Sequence, residues 1–377
     1  MTNHKSMHSE AVNSNLLKTK QHFEILDGLR GLAAVVVVIF HFMEIIQPDF
    51  NNNFIAHGYL AVDFFFCLSG FVIAYAYDNR IKEMGIIPFF KLRLIRLQPL
   101  VIIGTLIGIL SFCLNPFSDV SNHYSFGESL LFFITSVLMI PYPVVPELFF
   151  NNFPLNPPSW SLFWEYVANI LYVLILFKLR HRILIFLTVL AAIILCYCAY
   201  FDTNLLGGWG GETFWTGGAR IFFSFLAGML VFRSKWIIRN NLGLAPMAGL
   251  LMIGFLVPFV DGFNHVIDPI IVILYFPFLV ALGAGAKPAK KSLKLCTFSG
   301  EISYPLYMVH YPFIWLFYSY WEAYSPDMNE LILITCFGTM LLIGFAYVVM
   351  EYMDKPIRRY LKDRLKKKAQ VKKSLVV

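Results

Sequence analysis

Two residues on one apolar segment carry the clearest chemistry in this sequence, Arg30 and His41. Arginine suits an anion, because its guanidinium presents donors in a fixed fork. Histidine can take or give a proton near neutral pH. Eleven steps separate the two. At about 100° per step in a helix they return nearly to one face, roughly 16 Å apart along the axis. Asp27 and Glu44 lie three residues outside the pair, on the same stripe. An ionisable group within an apolar segment is costly and usually faces the protein interior with a task. A structural hydrogen bond is the other reading for His41, and a topology anchor the other for Arg30. The shared face favours a joint role.

Other polar residues interrupt apolar segments: Asp63 and Ser69, Trp160 and Glu165, Arg220, Ser303 and His310, and Glu351. A carboxylate beside the His41 imidazole would orient it and raise its basicity. Glu44, Asp63 and Glu165 are the candidates, with helix–helix hydrogen bonds as their alternative. Arg93 and Arg96 are three apart and share a face that suits phosphates. The same charges also read as those of a cytoplasmic loop. Arg220 stands apart on the outer side, where it would hold an anionic acceptor or pair with a helix carboxylate.

These residues need apolar helices to position them. The chain has 377 residues, 58% hydrophobic and 14% charged, and its mean hydropathy is +0.66. Soluble domains carry about 25% charged residues. About 20 apolar residues cross a bilayer. Runs near that length occur at 26–46, 59–77, 97–114, 159–179, 183–201, 219–232, 243–260, 267–284, 303–321 and 331–350. Lys and Arg cluster in alternate connections: the amino-terminal tail, 80–96, 178–182, 233–239, 287–294 and from 355 onward. The connections between carry none. This alternation places both termini in the cytoplasm. It also puts both flanks of the short segment at about 128–142 outside, so that segment is expected to be re-entrant or interfacial.

The expected fold is therefore an all-α membrane protein, a bundle of about ten transmembrane helices. It comprises a polar tail at 1–25, a membrane domain at 26–354 and a basic tail at 355–377. The net charge of +7 lies in these loops and tails, so the expected partner is the lipid bilayer and not nucleic acid. The basic tail either rests on anionic headgroups or fixes topology. No apolar signal core precedes the first long segment, which is expected to direct its own insertion. The six cysteines show no metal-ligand spacing, so no metal is expected. Loop 141–158, rich in proline, asparagine and aromatics, reads as an ordered cover over the outer mouth. Segment 207–218, rich in glycine and tryptophan, would line a sugar site or pad an interface.

In this order the motifs resemble the acyltransferase-3 family of membrane O-acyltransferases, from about residue 23 to 360. Leu26-Asp27-Gly28-Leu29-Arg30-Gly31-Leu32-Ala33-Ala34 followed by His41 is similar to the family's opening. Asp63 through Phe71, Arg93-x-x-Arg96-x-x-Pro99, Ser159-Trp160-Ser161-Leu162 with Glu165, and Arg220 through Gly228 fit its later motifs. Ser303 through Tyr307 with His310, and Glu351 with Pro356, complete the series. One departure is that Pro99 is followed by Leu100 and Val101, where the family often has Pro-x-Tyr. Another is that no esterase-like domain follows the helices, so final transfer would fall to the membrane domain or a separate partner.

The resemblance implies acyl transfer from cytoplasmic acyl-coenzyme A, acetyl-coenzyme A first among short donors. The acceptor would be a hydroxyl of an extracytoplasmic or lipid-linked glycan, such as surface polysaccharide or lipopolysaccharide. It implies a bacterial inner membrane location, no permanently bound cofactor and possible polysaccharide-assembly partners. His41 would be the catalytic base, with Glu165 or Glu44 orienting it; an acyl-imidazole intermediate is a variant. Arg30, Arg93 and Arg96 would bind the donor, and Arg220, Asp63, Trp160 and His310 the acceptor. The competing expectation is a multi-pass transporter or flippase-like exporter of a sugar or lipid-linked intermediate. It would call for matched broken helices or an internal repeat, and the sequence shows neither.

Overall fold

The computed structural model describes residues 22–374, with side chains through residue 367. Most of the expected tail at 1–25 lies outside the described residues. The chain between is helical. Helix α1 is Glu24–Ile46, α2 Ala61–Tyr77, α3 Ile86–Cys113, α4 Phe126–Val137 and α5 Ser159–Leu174. Helix α6 is His181–Phe201, α7 Phe214–Arg233, α8 Leu244–Leu256 and α9 Asn264–Gly285, the last with a π turn at Ile271–Tyr275. Helices α10 (Leu293–Val309) and α11 (Tyr311–Tyr324) follow. Helix α12 (Met328–Val349) runs through a π turn into α13 (Lys355–Ser374).

Among the described residues, seven helices are long and apolar enough to cross a membrane. They are α1, α2 with the turn before it, α3, α6, α7, α9 and α12 with its continuation. The protein is a multi-pass membrane protein. A helix satisfies its own backbone groups, as a lipid environment demands. Helix α4 has 12 residues, which rise only about 18 Å, short of the roughly 30 Å hydrocarbon core. Its start is fixed by Ser125 and Glu128, each bonding the other's backbone N–H.

Small residues set the closest helix crossings. Helix α1 lies on α10, and α2 on α7. A side chain at Gly31 would strike Ser299, and one at Gly70 or Gly228 would strike the facing backbone of Phe225 or Cys67. Such contacts replace the hydrophobic drive that lipid removes. Helix α6 shows the outer case. Its residues Leu184, Thr188, Ala191, Leu195 and Ala199 form a buried stripe at helical spacing, while Phe186, Ile193 and Tyr197 are exposed.

Two features shape the outer end. Helices α10 and α11 break at His310, with Pro305 before it and Pro312 just after; proline removes a donor and crowds the preceding turn. Loops 141–158 and 202–213 are tied together. Asn151 bridges Gly210, and the Asn152 side chain donates to the Gly208 and Gly210 carbonyls at 3.2 and 3.0 Å.

Candidate active site

Beneath the tied loops lies a cavity of about 360 Å³, on the side expected to be the outer one. Helix α1 brings His41 and Glu44 to it, α5 Trp160, and α11 Tyr311 and Trp315. His41 Nδ1 is 2.6 Å from Glu44 Oε1. An ionised carboxylate only accepts, so this bond places the imidazole proton on Nδ1 and leaves Nε2 as a base. The ring stacks on His310 at 5.4 Å and 22° and meets Tyr311 edge-on at 4.7 Å. Those contacts fix its plane. Trp209 and Asn151 of the tied loops also line this cavity, so loop 141–158 lies against it.

An inner cavity of about 120 Å³ holds Arg30, Ser69, Arg93, Arg96, Glu165 and Ser303. Arg30 donates to Ser303 Oγ at 2.9 Å and to the Gly300 carbonyl, and pairs with Asp27 at 3.2 Å. Arg93 donates to Glu165 Oε1 at 2.5 Å, and Ser69 donates to the same oxygen at 3.1 Å. The buried Nε of Arg93 has no hydrogen-bond partner among the described residues. Arg96 is exposed and, among the described residues, belongs to none of the ion pairs.

The two cavities share a wall. Val62 and Tyr307 line both. The Tyr307 hydroxyl lies 2.8 Å from Ser161 Oγ, so a hydrogen-bonded pair stands at the partition. The stripe read on α1 is therefore what the fold uses: Arg30 faces the inner cavity and His41 the outer.

Other expectations change. Glu165 does not reach His41, and Glu44 is the carboxylate that does. Of the three candidate carboxylates, Glu165 on α5 is turned toward Arg93 on α3. Asp63 and Arg220, both placed with the acceptor by the resemblance, hold each other, so the pairing with a helix carboxylate is the one of the two readings of Arg220 that forms. Arg220 Nη2 is 2.6 Å from Asp63 Oδ2, and its Nε donates to the same carboxylate at 3.1 and 3.2 Å. The carbonyls of Tyr59, Gly207 and Leu206 accept from the rest of the guanidinium at 2.9, 2.8 and 3.4 Å. Asp63 is 0% exposed and Arg220 1%. With every donor engaged, this arginine has none left for an acceptor. Its guanidinium sits 5.2 Å over the Trp160 ring and so props an aromatic wall of the outer cavity. His310 is also wholly buried. Its Nδ1 faces the Leu306 and Tyr307 carbonyls at 3.1 and 2.9 Å, and it backs His41 from behind the cavity wall.

Sequence reasoning missed Tyr307, Tyr311, Trp315 and Tyr318. Their spacing of three to four marks one helical face, a signal that aromatic-rich apolar segments conceal.

The family described as Acyltransferase domain matches residues 23–351. The chain belongs to that family. It is 37% identical over 161 residues to Protein 2 in picA locus of Rhizobium radiobacter, covering 40% of this chain and 81% of that one. It is 24% identical over 384 residues to O-acetyltransferase OatA of Staphylococcus aureus strain MRSA252, covering 93% and 60%. The protein of that name from strain NCTC 8325 is 25% identical over 366 residues, covering 89% and 57%. This chain thus spans less than two thirds of the length of those O-acetyltransferases. No solved structure matches.

Proposed function

We propose that the protein is an O-acetyltransferase that moves an acetyl group from cytoplasmic acetyl-coenzyme A to a glycan hydroxyl on the outer side. The observation that carries this is the junction of the two cavities, one arginine-lined and one holding the His41–Glu44 pair. Beside the seven longer helices, α5, α10–α11 and α8 extended by its apolar flanks over the run 243–260 are taken as crossings, ten in all, of a bacterial inner membrane. Both termini then lie in the cytoplasm, and the arginine cavity opens on the cytosolic side. The donor is a substrate, and no resident cofactor is required. Its phosphates meet Arg96, with Arg30 and Arg93 behind, since forked donors match phosphate oxygens. Its thioester arm reaches the Val62–Tyr307 partition.

There the acceptor hydroxyl gives its proton to His41 Nε2, and its oxygen attacks the thioester carbonyl carbon. The carbon–sulfur bond breaks, and the coenzyme A thiolate leaves. The imidazolium, held by Glu44, returns the proton to that thiolate. General-base catalysis of this kind contributes about 10²–10⁴-fold. Surface polysaccharide or lipopolysaccharide fits the acceptor side, and polysaccharide-assembly proteins are the partners that would present it.

The test supplies membranes containing the protein with acetyl-labelled coenzyme A and the cell's own surface glycan. The label is expected in the glycan as an alkali-labile ester, with free coenzyme A released in equal amount. Donor left intact, with unlabelled glycan, would sink the reading.

A further inference from the structure

A separate cavity of about 330 Å³ adjoins the outer one and has no part in the steps above. Phe149, Trp315 and Tyr318 line both, forming an aromatic wall between them. The Phe149 and Trp315 rings stack at 6.1 Å and 18°, and Tyr318 meets Phe149 edge-on at 5.7 Å. Trp315 is anchored by its indole N–H, which donates to the Pro154 carbonyl at 3.1 Å. Phe149 adopts a left-handed backbone, φ 55°, costly for a bulky side chain and common where a binding surface is held in place. The residue stays 49% exposed.

The far side is polar. Asn115 donates to Ser319 Oγ at 2.9 Å, and Tyr318 donates to Glu322 Oε1 at 2.8 Å. Glu147 accepts from the Tyr124 hydroxyl at 2.7 Å, and that bond holds its carboxyl below the ordinary range. Hydroxyls, an amide and two carboxylates thus face a stacked aromatic wall. No Lys or Arg lines this cavity among the described residues, and the arginine of the adjoining one is engaged by Asp63. Flat aromatic faces pack against the C–H faces of sugar rings, while amides and carboxylates accept from sugar hydroxyls. The same carboxylates repel an anion.

We propose that this cavity is a second acceptor subsite, taking an uncharged saccharide unit next to the one whose hydroxyl lies at His41. The proposal rests on the acceptor side of the reading above and narrows the acceptor to a neutral oligosaccharide or longer glycan.

Binding tests it, so the result stands whether or not acetyl transfer is seen. Trp315 and Trp321 at the cavity walls report ligand through fluorescence of the full-length chain in nanodiscs. The probes are chitotetraose, maltotetraose, their monosaccharides and tetragalacturonate. At least one neutral tetrasaccharide should bind about tenfold or more tighter than its monosaccharide, the gain of one added hydrogen-bonded unit. Asn115→Ala and Glu322→Ala should each remove most of that gain while leaving monosaccharide binding unchanged, which also shows that the variants fold. Tighter binding of tetragalacturonate, equal binding of long and short sugars, or no binding at all would overturn the proposal. So would variants that keep the full gain.

Discussion

The two cavities hold the same kinds of side chain in opposite states. In the outer one, Arg220 has all its donors engaged by Asp63 and backbone carbonyls, and the carboxylate of Glu44 serves an imidazole. In the inner one, the Glu165 carboxylate is taken by an arginine, while Arg96 stays exposed and unpaired among the described residues. Availability separates them where composition does not. An exposed guanidinium suits phosphate, and an imidazole with one nitrogen held and the other open suits proton transfer. A buried arginine with a full set of partners is architecture.

The strongest way to break this division is at His41. His41→Ala should lower acetyl transfer about 10²–10⁴-fold while leaving acetyl-coenzyme A affinity unchanged. A matching loss of donor affinity would merge the two cavities into one site. The next test concerns Arg220. Removing either partner strands a buried charge, so Asp63→Leu or Arg220→Met alone should cost about 3–5 kcal/mol of stability. The double variant should recover much of it, as read by thermal unfolding in detergent. Single variants of normal stability with weakened acceptor binding would return Arg220 to the acceptor. Arg96→Ala sharpens the inner side: KM for acetyl-coenzyme A should rise about tenfold, with kcat little changed. A fall in kcat alone would place Arg96 in the chemistry. The smallest effect is expected far from both cavities. Ser125→Ala removes the cap of α4 and should cost about 1 kcal/mol, with transfer rates unaltered.

Much of this was legible in the sequence where a period governs. The 3.6-residue turn placed Asp27, Arg30, His41 and Glu44 on one face, and both end pairs form, Asp27 with Arg30 and Glu44 with His41. Charge alternation and the shortness of the 130–140 run anticipated that α4 would be too short to cross. What failed was rotation between helices. Glu165 is a candidate partner of His41 in the sequence beside Glu44 and Asp63, and nothing in a sequence says which neighbour a helix face meets. Asp63 and Arg220 each carried a polar signal, yet sequence cannot show that two distant residues satisfy one another. The partition residue Tyr307 was hidden because tyrosine is ordinary in an aromatic-rich membrane segment. Its place on the wall shared by the two cavities shows only in the fold.

The central claim is that donor and acceptor approach from opposite sides and meet at the Val62–Tyr307 partition. Proteoliposomes of uniform orientation test it directly. Labelled acetyl-coenzyme A is supplied on the side where the Arg96 cavity opens, with a glycan acceptor on the side covered by loop 141–158. Acetyl ester should form on the glycan in that arrangement, and none when the donor is placed on the glycan's side alone. Transfer only when both substrates share one side would contradict the claim.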